Sequence, residues 1–262
     1  MIAVVGGTGT LGRAVVEQLL GSGESVRILS RNRPQELAPG CEHMEFDLSA
    51  ADVGTTPGTA AALDGVRSVI DAANNSVRPG PVMLRGSERL IEACEPAGVE
   101  HFVGVSIIGC EKVGLAYYRA KTRQEDLVRQ SPVGWSLLRA TQFHELLDRA
   151  FGATARFRLL PGGSARLQPV AAAAVAGELA SIACGEPLNG AAEVIGPKPQ
   201  SLGDLAGEWK TAVARRSLTV PVPLVGRTGR AVAAGALTES VAAGVGPDFK
   251  TWLSSRYGSS GE

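Results

Sequence analysis

Apolar residues follow two alternating rhythms along the first 145 positions. Ile2-Ala-Val-Val5 is a short β-branched run of the kind that forms a buried strand, and Arg13 to Leu20 then spaces its apolar residues at helical intervals. The exchange recurs, with strands predicted over 25–30, 42–46, 66–72 and 101–108 and helices over 82–97 and 114–130. A sixth strand over 135–139 leads through Ala140-Thr-Gln-Phe-His-Glu145 into a helix ending near Phe151. Strands alternating with helices predict an α/β chain with a doubly wound parallel sheet and right-handed crossovers.

The pattern loosens after residue 153, which divides a core (1–153) from a mixed region (154–262) that adds strands to it and forms a small substrate lobe. Extended pieces over 156–160 and 165–170 flank Pro161-Gly-Gly163, and an alanine-rich helix follows over 171–183. A late strand over 193–195, a helix over 202–214, a proline-bounded extended segment at 220–224 and a weakly patterned helix over 227–243 precede a polar tail, 258–262.

Composition narrows the function. The 262 residues carry 26 basic and 26 acidic side chains, so no basic excess favours nucleic acid or an anionic membrane. Cys41, Cys94, Cys110 and Cys184 are far apart and form no metal-ligand pattern; they read as free thiols of a reducing compartment. No stretch is apolar and long enough to span a bilayer, and with a strand predicted from residue 2 no secretory leader is expected. A cytoplasmic protein without a metal is expected.

Chemistry begins at the first turn. Gly6-Gly-Thr8-Gly9-Thr10-Leu11-Gly12 stands between a strand and a helix, the context in which a glycine signature seats a pyrophosphate. Glycine there permits a tight turn and close backbone approach, and the helix starting near Thr10 presents free N–H groups to phosphate. The second strand ends in Ser30-Arg31-Asn32-Arg33 with no acid to grip a ribose 2′-hydroxyl; Arg31 and Arg33 suit a 2′-phosphate, which favours NADP(H). Asp47-Leu48 ends the third strand, where the carboxylate could accept from the adenine amino group or cap a helix. Ala72-Ala73-Asn74 leaves the fourth strand; its small residues let a cofactor lie against the backbone, and Asn74 could bond the nucleotide or shape a turn.

Tyr117 and Lys121 are four apart, on one face of a predicted helix, so the ammonium can favour the phenolate. Ser106, at the end of the fifth strand, could bond the same substrate oxygen. Gln142, Phe143 and His144 follow the sixth strand and could line a substrate pocket, with His144 either a second acid/base or a packed cap.

Together these residues resemble the short-chain dehydrogenase/reductase superfamily, most closely its atypical and extended, NmrA-like, NAD(P)H-binding members. The resemblance implies a Rossmann fold with Tyr117 as general acid/base, Lys121 binding the nicotinamide ribose, and Ser106 orienting a carbonyl. The fourth-strand exit, Ala-Ala-Asn-Asn, departs from the pattern of standard reductases, and Tyr118 stands beside Tyr117. The expected function is NADP(H)-dependent hydride transfer to or from a small-molecule carbonyl or alcohol, by a monomer or homodimer. A non-catalytic NADP(H)-binding redox sensor and an NAD-dependent sugar-nucleotide epimerase or dehydratase are the alternatives.

Overall fold

The computed structural model describes residues 1–50, 53–54, 57–239 and 243–258. Two compact units are present: Met1–Ser106, Ala116–Arg139 and Val175–Ala192 in the first, and Ile107–Leu115, Ala140–Ala174 and Glu193–Glu262 in the second.

The first unit alternates strand and helix as expected: β1 (Ile2–Val5), α1 (Thr10–Gly21), β2 (Val26–Ser30), β3 (Cys41–Glu45), α2 (Pro57–Leu63) and β4 (Ser68–Asp71). A π-helical stretch, Gly80–Gly86, then runs into α3 (Ser87–Cys94), followed by β5 (His101–Ile107), α4 (Ala116–Arg129) and β6 (Gly134–Ala140). The predicted helix over 82–97 is thus a composite. It starts behind Pro79 and comes so close to the β3 exit at Gly86 that an added Cβ would lie 2.2 Å from Leu48 O.

The sheet has seven strands in the order β3-β2-β1-β4-β5-β6-β9, where β9 is Gly190–Val194, and the pairings from β3 to β5 are parallel. Strand order reverses between β1 and β4, and in such sheets ligands settle beyond the carboxyl ends of the strands at that point. β1, β2 and β4 are buried along their whole length, which explains the unbroken apolar run of β1 and the apolar centres of β2 and β4, whose Ser30, Ser68 and Asp71 are buried polar ends. Arg27 is the exception in β2. Its guanidinium pairs with Glu42 on β3 and donates to the carbonyls of Ala61, Ala62 and Asp64 at the end of α2, at 3.3, 3.0 and 2.8 Å. A charge is tolerated inside the sheet because every oxygen around it needs a donor.

The second unit contains α5 (His144–Ala155), β7 (Leu159–Gly162), β8 (Arg166–Leu167), β10 (Gln200–Ser201), α7 (Leu202–Ala212), β11 (Leu218–Pro221), α8 (Gly226–Ala233) and α9 (Phe249–Tyr257). The alanine-rich helix α6 (Ala172–Cys184) belongs from Val175 onward to the first unit. Phe151, Leu160, Trp209, Phe249 and Leu253 form the buried core of the second unit. Asp148 fastens that core, accepting from Trp209 Nε1 and Tyr257 Oη, each at 2.7 Å, and pairing with Arg256 at 3.1 Å. The helix predicted over 227–243 stops at Ala233, and the polar tail from 259 lies outside the described residues. Helix α9 has no clean apolar stripe to betray it; its signal is Asp248, which caps it by accepting from Thr251 N at 2.8 Å. No helix among the described residues is long and apolar enough to cross a membrane.

Candidate functional site

The glycine turn closes on itself. Gly6 N donates to Leu29 O and Gly9 N to Gly6 O, both at 2.8 Å, and Gly6 adopts φ +74°. A Cβ on Gly6 would lie 2.9 Å from Ala73 Cα, so the turn sits directly against the chain leaving β4. A Cβ on Gly12 would lie 2.2 Å from Gly6 O, which lets only glycine enter α1 at that depth. Helix α1 begins after Gly9 with no side-chain cap and no acid in its first turn, so the field of its positive dipole end is not cancelled by a carboxylate and suits an anion. These residues fit a pyrophosphate: Thr8 and Thr10 are half-buried at the turn while Leu11 is buried beneath it.

Arg31 and Arg33 are exposed beyond β2. Asp47 accepts from Ser49 N at 2.9 Å and Ser49 Oγ at 2.7 Å; these bonds, helped by nearby Arg31, hold its carboxyl below the usual range. Its side chain therefore shapes the turn after β3, while Leu48 is buried beside it. Ala72 and Ala73 are half-buried and Asn74 is exposed. Asn74 Nδ2 donates to Tyr117 Oη at 3.0 Å, which brings the phenol to the β4 exit and hence to the residue that touches Gly6.

Beneath this surface lies a buried polar network that sequence reading missed. Asp71, at the last position of β4, accepts from Ala73 N at 3.1 Å, Ser87 Oγ at 2.7 Å and Gln124 Nε2 at 3.2 Å. Burial pushes its carboxyl up, against the opposing pull of those bonds and of Lys121. Lys121 Nζ donates to Val105 O at 2.9 Å and to Gln124 Oε1 at 3.0 Å. Cys94 is an inert neighbour, its thiol pushed up to about 12 by burial and by Asp71. The available signal was Gln124 itself, three residues after Lys121 and so on its helix face.

Ser106 points into a second network. Its hydroxyl bonds to the carboxylate of Glu125, which also accepts from Arg139 Nε at 2.9 Å and pairs with Arg129 and Arg139 at 2.6 Å each. Burial would raise the Glu125 carboxyl, but the Arg139, Ser106 and Arg129 bonds win and hold it low. A serine has one O–H to give. Orienting a substrate carbonyl would require that hydrogen to leave Glu125. Tyr118 meets Tyr117 edge-on with ring centroids 5.4 Å apart.

Gln142, Phe143 and His144 lie in the second unit. Gln142 Nε2 donates to Leu237 O at 3.2 Å, and its Oε1 accepts from Gln168 N at 3.1 Å. His144 is fully buried; Nε2 meets Pro247 O at 3.0 Å, and its ring lies against Phe249 and Trp252. Burial lowers its basicity. Gln142 and His144 are thus engaged in the unit's own scaffold. No cluster of metal-ligating side chains occurs among the described residues.

Comparison with known proteins agrees with this geometry. Residues 6–180 match the family described as NAD(P)H-binding. The photosystem II assembly factor Ycf39 of Cyanophora paradoxa is 31% identical over 151 residues, covering 55% of this chain and 46% of that protein. The chain spans less than half the length of the curated relatives it matches. Among solved structures, the NADPH-dependent quinone oxidoreductase of Escherichia coli, complexed with NADPH, superposes with a TM-score of 0.77 at 17% identity, over 98% of this chain and 100% of that one. The triphenylmethane reductase of Citrobacter sp. gives a TM-score of 0.76 at 15% identity, over 98% and 99%. At such identities the structural likeness is one of fold. The strand order, the glycine turn and the match over residues 6–180 converge: the chain belongs to the NAD(P)H-binding family.

Proposed function

We propose that this chain is an NADP(H)-dependent oxidoreductase that moves a hydride between the nicotinamide and a carbonyl or alcohol carbon of a small molecule, with Tyr117 transferring the matching proton. The observation that carries the reading is the 3.0 Å hydrogen bond between Asn74 and Tyr117, because Ala73, one residue earlier, abuts Gly6. The phenol and the phosphate-binding turn therefore share one end of the sheet. Bound coenzyme supplies the hydride. The chain supplies the rest: the glycine turn and α1 hold the pyrophosphate, Arg31 and Arg33 hold the 2′-phosphate, and Ala72-Ala73 offers a flat backbone surface. Lys121, anchored to Val105 O and Gln124, fixes the face of α4 that carries Tyr117.

A second reading is a nucleotide-binding module that acts through a protein partner, as an assembly factor would. It is favoured by the commitment of Ser106 to Glu125 and of Lys121 to Val105 and Gln124, and by likeness to an assembly factor over 151 residues. One experiment separates the two. NADPH oxidation is followed against a panel of quinones, ketones and aldehydes for wild type and Tyr117→Phe, with coenzyme affinity measured by calorimetry on the same samples. Turnover that disappears in the variant while affinity persists supports the oxidoreductase. Tight coenzyme binding with no turnover on any acceptor supports the module.

A further inference from the structure

The chain is neutral overall, yet its charge is unevenly placed. In the second unit, Arg158, Lys210, Arg215 and Arg216 surround a hollow of about 590 Å³ where the end of α7 meets β11. No described carboxylate lies within ion-pairing reach of any of the four. Arg158, Arg215 and Arg216 are exposed and Lys210 is half-buried, so together they form a positive patch that raises the local concentration of anions.

Ser217 supplies the second observation. It lines the same hollow, and its hydroxyl oxygen is buried with no hydrogen-bond partner. Buried hydroxyls are normally satisfied, so an orphan beside four cations marks the place of a missing acceptor. An apolar wall is present as well: Leu218 also lines the hollow and is 68% exposed, and Leu159, paired with it in register across β7 and β11, is 44% exposed. Side chains of that size left in water beside guanidiniums suit a ligand with an anionic head and an apolar body.

We propose that this hollow is a binding site for the phosphate group of an amphiphilic ligand. Arg215, Arg216, Arg158 and Lys210 neutralise the phosphate, Ser217 donates to one of its oxygens, and the apolar portion lies over Leu159 and Leu218. Guanidiniums suit this group because their fork matches two phosphate oxygens at once. A self-pairing of this face between two copies is disfavoured, since it would set Arg215 and Arg216 against their own counterparts.

The ligand is either a soluble organic phosphate or a phospholipid headgroup, and the test has an arm for each. Melting temperature is recorded against inorganic phosphate, and co-sedimentation is measured with vesicles of phosphatidylcholine with and without phosphatidylglycerol. Wild type is compared with Arg215→Ala/Arg216→Ala and with Ser217→Ala. The double variant should need roughly tenfold more phosphate, or more, for an equal melting shift, since each charged hydrogen bond is worth about that factor. Its coenzyme affinity should match wild type, which separates this site from the glycine turn. Ser217→Ala should leave the ligand-free melting temperature unchanged or raised and still weaken the phosphate response. Co-sedimentation only with phosphatidylglycerol, lost in the double variant, assigns the headgroup; a phosphate shift without co-sedimentation assigns the soluble ligand. The proposal is overturned by no response in either arm, or by responses equal in wild type and the double variant.

Discussion

The side-chain amide of Asn74 and the hydroxyl of Tyr117 lie 3.0 Å apart, joined across 43 residues of sequence. One leaves strand β4 and the other begins helix α4, so the bond ties the phenol to the strand exit beside the glycine turn. Tyr117→Phe keeps the ring and removes the proton. Hydride transfer should fall by about 10²–10⁴-fold while coenzyme affinity stays within a few-fold. Unchanged turnover in that variant would remove Tyr117 from the mechanism.

The proposed preference for NADP(H) rests on the exposed Arg31 and Arg33. Arg31→Ala/Arg33→Ala should weaken NADP⁺ by roughly tenfold or more, and leave NAD⁺ nearly unaffected, because only the former carries the 2′-phosphate. Calorimetry with both nucleotides checks it, and equal losses would contradict the assignment. Raising the salt concentration should narrow the preference, since both guanidiniums stand in water.

Gly12→Ala places a methyl 2.2 Å from Gly6 O, a collision with backbone that no rotamer relieves. The turn must open, at a cost of about 1–3 kcal/mol by the usual penalty for overpacking. The variant should melt lower than wild type and lose its response to either coenzyme.

Stability on the acid side should depend on His144. Burial holds its folded-state basicity below the ordinary 6.5, so the folded chain keeps the ring neutral while the unfolded chain protonates. The stabilisation is complete above 6.5 and is lost as the pH falls through the depressed folded value. A proton on Nδ1 would also find no acceptor, for that atom is buried without a partner. Melting curves between pH 8 and pH 5 should therefore fall less steeply for His144→Gln, whose amide can still donate to Pro247 O. A slope equal to wild type would count against this account.

Arg139→Leu leaves the carboxylate of Glu125, 2% exposed, with one arginine in place of two. Removing a partner from a buried pair costs about 3 kcal/mol or more, whereas Glu125→Leu/Arg139→Leu removes both charges and should recover much of the loss. Denaturant titration of the three proteins measures the coupling. In wild type, the depressed Glu125 carboxyl contributes stability above its ordinary value of 4.5, lost as the pH falls through the lower folded value.

The strand–helix alternation of the first unit was legible because buried parallel strands read as apolar runs, unbroken in Ile2–Val5 and reduced to Val69-Ile70 between the buried polar ends of Ser68–Asp71. The glycine turn was legible for the same physical reason that it works: no other residue fits beside Ala73 or Gly6 O. What stayed hidden was long-range and polar. Nothing local to Asp71 announces that Gln124 and Ser87 will reach it, nor does Ser106 advertise that Glu125 will take its hydrogen. The second unit was read least well, because α9 packs Phe249 and Leu253 inward without a regular stripe and α8 is shorter than its composition suggests.

The contact between Gly6 and Ala73 has a wider consequence. Ala73 N is held by Asp71, and Asp71 in turn holds Gln124 on the helix that presents Tyr117. Widening the turn would push on that chain of bonds and reposition the phenol of Tyr117. The glycine turn and the position of Tyr117 depend on one piece of backbone, so redesign of either has to retune both at once.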